Sequence, residues 1–104
     1  MARAYVLDEK GNQVVVAESG DTIRIEGNYY FPPNSVNKEA LVDSDNHTVC
    51  HWKGEASYKT VKAGDKEYSD GAWYYPNPDQ SAKDRVGKDF SNYYAFWRGV
   101  EVED

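Results

Sequence analysis

Between Thr22 and Glu26 polar and apolar residues alternate without exception, Ile23 and Ile25 set against Thr22, Arg24 and Glu26. That period of two marks a half-buried strand. Upstream, Tyr5-Val6-Leu7 reads as a short strand that runs into the polar turn Asp8-Glu9-Lys10-Gly11-Asn12. Gln13 to Glu18 reads as a second strand, turned by Ser19-Gly20-Asp21. Two hairpins in succession predict an antiparallel meander. The pattern breaks at Gly27-Asn28-Tyr29-Tyr30-Phe31-Pro32-Pro33, because proline disfavours helix before it and cannot donate to a strand ladder. A short helix is predicted over 34–42, capped by Asn34 or Ser35, with Val36, Ala40 and Leu41 facing inward.

Asp43-Ser44-Asp45-Asn46 is expected to end that helix. Thr48 to Trp52 and Glu55 to Val61 then read as strands, with a bend or bulge at Gly54. Ala63-Gly64-Asp65-Lys66 has the character of a hairpin turn, and a strand over 72–75 stops at Pro76-Asn77-Pro78. Residues 79–92 are polar and predict one helical turn and a loop. The chain closes on a strand from Tyr93 to Trp97, which Val100 to Glu103 extends. No repeat, low-complexity tract or linker interrupts it. The expectation is a single domain over 1–104, mainly β, built of antiparallel sheets with one short helix.

Composition changes the picture of the core. Leu, Ile, Val and Phe together supply only 18 of 104 residues, a poverty that with a net charge of -6 approaches the disordered range. Nine tyrosines and three tryptophans oppose that reading, since each ring buries ~150–250 Å². A core of valine and aromatic side chains is therefore expected. The acidic balance, with a pI near 4.8, argues against nucleic acid as the partner, whose footprint is a basic patch. No apolar run approaches the ~20 residues that span a bilayer, and Met1-Ala2-Arg3 opens no signal peptide. With one cysteine and no internal disulfide to form, the chain is expected to be a cytoplasmic, reduced protein with no membrane partner.

Candidate chemistry concentrates in His47-Thr48-Val49-Cys50-His51-Trp52-Lys53-Gly54, which holds the only cysteine, both histidines and one tryptophan. Cys50 is a candidate nucleophile, with His47 as its base and Lys53 as an anion stabiliser. On a regular strand Cys50 shares a face with Thr48 and Trp52, while His51 points the other way, so such a site needs a partner brought in by a turn. The alternative is a buried thiol that acts as a small hydrophobe. His47 and His51 would stand ~13 Å apart on a strand, and one Cys with two His is too few for a closed zinc site. No metal and no cofactor is expected. Asp43-Ser44-Asp45 has a spacing seen in magnesium-dependent transfer sites, but no phosphate-cradling loop accompanies it, and Asx turns explain it as well.

The remaining possibility is an aromatic-walled pocket between sheets. Trp52, Tyr58, Trp73, Tyr75 and Phe96 would line it, Thr48 and Cys50 would form its floor, and Lys53 or Glu26 would supply polarity at its rim. Such a cage holds a flat ring or a cation, each contact contributing ~0.5–2 kcal/mol.

Six segments carry a resemblance that spans nearly the whole chain. They are Val16-Ala17-Glu18-Ser19, Glu26 to Pro32, Ser44 to Cys50, Trp52 to Tyr58, Ala72-Trp73-Tyr74-Tyr75-Pro76 and Tyr94-Ala95-Phe96-Trp97. In this order they resemble the small bacterial and fungal family of domain of unknown function 427. The resemblance implies an all-β, tent-like fold similar to methionine sulfoxide reductase B and the Mss4-type zinc proteins, some of whose wider group hold ligands in an aromatic cage. The zinc-binding cysteines of those relatives are missing here. His51 stands where the family usually has proline, and Asp84 to Asn92 is longer than usual. The family's nucleotidyltransferase-style label finds only the Asp43/Asp45 pair among these residues. Three functions therefore stand open: a small-ligand-binding domain, a cysteine-dependent enzyme using Cys50, and a protein-interaction module with an unknown partner.

Overall fold

The computed structural model describes residues 1–104. Nine strands form in chain order: β1 (Ala2–Leu7), β2 (Gln13–Ser19), β3 (Ile23–Ile25), β4 (Asn28–Tyr30), β5 (Leu41–Cys50), β6 (Gly54–Ala63), β7 (Lys66–Tyr74), β8 (Tyr94–Phe96) and β9 (Glu101–Glu103). They assemble into three antiparallel sheets, ordered β2-β1-β9, β3-β4 and β5-β6-β7-β8. The mainly β, antiparallel class read from the alternation is the class observed. The one α-helix, α1, covers Gln80–Val86, and no helix is long and apolar enough to cross a membrane.

The expected meander does not form. β1 and β2 pair as a hairpin, but β3 leaves that sheet and pairs with β4 alone. The cause is the turn between them. Ile25 opposes Asn28, so Glu26 and Gly27 are the whole loop, and both have positive φ, 53° and 84°. That geometry matches the right-handed twist of a two-residue hairpin. Because Gly27-Asn28-Tyr29-Tyr30 reads as a break before proline, β4 is not visible in the hydrophobic pattern.

The helix expected over 34–42 is replaced by two single 3-10 turns, Pro33–Ser35 and Lys38–Ala40. Val36 between them is extended and bridges Ala17, which prevents one continuous helix. Asn37 caps the second turn through its side chain, and Leu41 begins β5 instead of ending a helix. The α-helix lies further on. It is closed by Gly87, whose φ of 86° is the left-handed conformation that terminates helices.

The four-stranded sheet carries a core on each face. One face packs Val61, Ala72 and Phe96 against Ala4, Val6 and Val16 of the three-stranded sheet, with Phe31 between. The other face carries Ala56, Tyr58 and Ala95, covered by Ile25 and Tyr30 of the β3–β4 hairpin, by Ala82 of α1 and by Phe90. Aromatic residues and valine fill these cores as composition predicts. The sequence also contains nine alanines, and every one of them is buried. Small side chains let the layers approach closely enough for large rings to interdigitate at interior density.

Candidate functional site

The turn between β5 and β6 is His51-Trp52-Lys53, with Cys50 opposite Gly54 across the ladder. Gly54 has a φ of 107°, and a Cβ there would lie 3.4 Å from the Asn77 carbonyl oxygen, so the chain reverses tightly against the segment that leads into α1. The Lys53 carbonyl accepts from the Asp79 amide at 3.3 Å, which ties this turn to the start of the helix. Trp52 therefore stands on a turn and not on the strand face of Cys50 and Thr48 where alternation had put it.

Lys53 turns inward and is only 6% exposed. Its ammonium lies 5.0 Å from the Trp52 ring centroid and 5.5 Å from that of Tyr75, and it donates to the carboxylate of Glu26. A buried ammonium needs such a partner, because an unpaired charge in a low dielectric is costly. The Lys53 hydrogen bond holds the Glu26 carboxyl below its usual range, with smaller contributions from the charges of Lys53 and Arg85 and from the Trp52 indole. Burial opposes the shift. Glu26 and Lys53 thus meet, as the sequence reading grouped them, but as an ion pair between two loops.

Above this pair opens a groove of about 300 Å³, lined by Arg24, Ile25, Glu26, Trp52, Arg85 and Val86. Its walls are the β3–β4 hairpin on one side and the last turn of α1 on the other. The Arg85 guanidinium carbon sits 4.4 Å from the Trp52 ring centroid. Arg24 lies equally close, 4.4 Å, to the ring of Tyr29, and donates to that tyrosine's hydroxyl at 3.2 Å. Neither arginine forms an ion pair with a carboxylate. A second, wholly polar hollow of about 470 Å³ lies along α1 between Gln80, Lys83, Asp84, Gly87, Lys88 and Asp89. There both signs of charge mix, and Lys83 pairs with Asp89 at 3.8 Å.

The other rings expected in the pocket pack against one another. Trp73 donates its indole N–H to the Tyr30 hydroxyl at 3.0 Å and meets Tyr30 edge-on at 6.1 Å. Tyr75 stacks on Tyr30 at 6.4 Å and meets Phe90 at 6.0 Å. Burial pushes the Tyr30 and Tyr75 hydroxyls up to about 12. Tyr58 lies against Trp97 and shares a 2.8 Å hydrogen bond with Thr48. Phe96 sits on the opposite face of the sheet, 5.6 Å from Phe31 in the first core, and so cannot line a space with Trp73. The open space lies between hairpin, turn and helix, and not between sheets.

The residues grouped around Cys50 are also separated. His47 faces Ser57 across the β5–β6 ladder, Nδ1 to Oγ 3.1 Å, on the side of β5 opposite Cys50. Cys50 is half-buried and packs against the second core. The Lys53 ammonium is engaged by Glu26. Asp43 pairs with Lys59, and no three His, Cys, Asp or Glu side chains converge anywhere in the molecule.

Sequence reasoning missed Arg24, Arg85 and Val86. The signal for Arg24 was present, since its alternation with Ile23 and Ile25 puts it on the outer face of a strand. For Arg85 only the polar character of 79–92 was visible, and nothing in it indicated a helix reaching Trp52.

No curated protein matches the chain significantly. A family model matches residues 5–104, and on that match the chain belongs to the family described as Domain of unknown function (DUF427).

Proposed function

We propose that the protein is a small-ligand-binding domain whose ligand seats in the groove between the β3–β4 turn, Trp52 and α1. One observation carries this reading. Trp52 lines an open groove while a buried lysine and a glutamate are locked together beneath it. Large rings placed only for packing are covered on both faces, as Tyr30 and Phe90 are here. A half-buried indole at the base of a concave, partly polar site is the arrangement that small ligands use, although at about 300 Å³ the groove is at the small end of such sites. Thr48, Tyr58, Trp73 and Tyr75 support the ligand at one remove, by holding the second core in which Trp52 and Lys53 are anchored.

The test is a screen of small flat compounds by saturation-transfer NMR, run in parallel on the natural protein and on Trp52→Ala. The expected result is a set of weak binders that Trp52→Ala loses while the variant still folds, with a cooperative melting transition at a lowered temperature. Binders that survive Trp52→Ala unchanged would contradict the proposal.

A further inference from the structure

We infer that the groove takes a flat aromatic ring bearing one anionic group, a carboxylate or a phosphate, an inference that rests on the ligand-groove reading above. Charge is the first argument. The chain carries a net charge of -6, yet the groove's lining contains two arginines and a single carboxylate, and that carboxylate is already engaged by Lys53. Asp84, the sequence neighbour of Arg85, accepts from Gln80 at 3.1 Å and lines the other hollow of α1, so it does not satisfy Arg85. Two guanidinium groups that form no direct ion pair therefore border one small space, Arg85 acting on Glu26 only as a secondary charge. Guanidinium matches carboxylate and phosphate through paired, charge-assisted hydrogen bonds.

Stacking is the second argument. Arg85 lies over Trp52 at 4.4 Å, the place that a ligand ring would take on the indole. A planar cation on an exposed aromatic face is weakly held and easily displaced. When a ring replaces it, the long Arg85 side chain swings outward and meets the acid group on that ring. Arg24 approaches from the hairpin side. Glu26 cannot repel the ligand strongly, because Lys53 balances its charge at hydrogen-bond distance. The volume, about 300 Å³, suits one ring with one acid group.

Isothermal titration calorimetry with phenyl phosphate, benzoate and neutral benzamide at one ionic strength tests this. The inference expects both anions to bind roughly tenfold or more tightly than benzamide. Arg85→Gln and Arg24→Gln should each erase most of that advantage, read within each variant as the ratio of anion affinity to benzamide affinity. Both arginines are exposed, so unchanged melting temperatures will show that the variants fold. Equal binding of benzamide and the anions overturns the inference and leaves the ligand groove standing. An anion preference that survives both substitutions also overturns it. Absence of binding by all three, together with an empty screen on the natural protein, defeats the inference and the groove reading alike.

Discussion

Glu26 occupies a backbone conformation that asparagine or glycine adopts far more readily, at a cost on the order of 1 kcal/mol for a residue with an ordinary Cβ. What offsets this is the contact its side chain makes. From the turn position it reaches the buried ammonium of Lys53, and a shorter side chain would not. The two ends of the pair are unequal, since the lysine side chain is 8% exposed and the glutamate side chain 54%. Removing the glutamate strands a buried charge, whereas removing the lysine leaves a carboxylate that water can reach. Glu26→Gln should therefore destabilise the protein by about 1–3 kcal/mol, and Lys53→Met by distinctly less, as measured by urea unfolding. The same pair sets an acid dependence. Because the folded state lowers the Glu26 pKa from 4.5, its stabilising contribution is complete above that value and is lost as pH falls through the lowered one. Glu26→Gln should flatten this part of the stability curve. An equal loss from both substitutions would mean that the buried ammonium has another acceptor.

At the scale of elements, α1 is the least self-sufficient part of the fold. Seven residues cannot hold a helix in water, so its stability comes from docking. Ala82 is fully buried, Asp79 binds the Lys53 carbonyl, and the left-handed Gly87 closes the end. Ala82→Leu should cost about 1–3 kcal/mol through overpacking and should displace Arg85 and Val86 from the groove. Thermal unfolding and ligand calorimetry together check this, and retained affinity with lowered stability would show that α1 does not form the groove wall. How much was legible differs by element for physical reasons. β2 and β3 announce themselves by composition or alternation, because one face is buried and the other wet. β5 does not, since it is an edge strand with Val42, Asp43 and Asp45 to Val49 exposed. Its residues therefore read as turn and short strand. The hairpin turn at Glu26-Gly27 was hidden because glutamate is not a usual residue there, and the same contact with Lys53 that explains it is invisible without tertiary structure. The aromatic residues of the site were legible as a group. Which of them face open space was not, because that depends on what covers each face of the sheet.

For the whole molecule, the two cores divide the work. Fourteen buried residues join the three-stranded and four-stranded sheets, and eight more lie under the hairpin and α1. The groove opens at the margin of the smaller core, so changes at its rim leave the larger one intact. On this division, substitutions at Trp52, Arg24 and Arg85 should leave the chain folded, which a cooperative melting transition for each variant would check. It also assigns the three tryptophans different roles. Trp73 donates to Tyr30 and Trp97 donates to the Asp70 carbonyl at 2.7 Å, whereas Trp52 borders the groove. The most direct measurement is a two-dimensional ¹⁵N–¹H NMR spectrum of the three indole N–H groups, recorded during a titration with phenyl phosphate. The Trp52 resonance should shift saturably while those of Trp73 and Trp97 stay in place. A shift centred on Trp73 or Trp97 with Trp52 unmoved would contradict the ligand groove, and would move the binding site to the aromatic cluster of the second core.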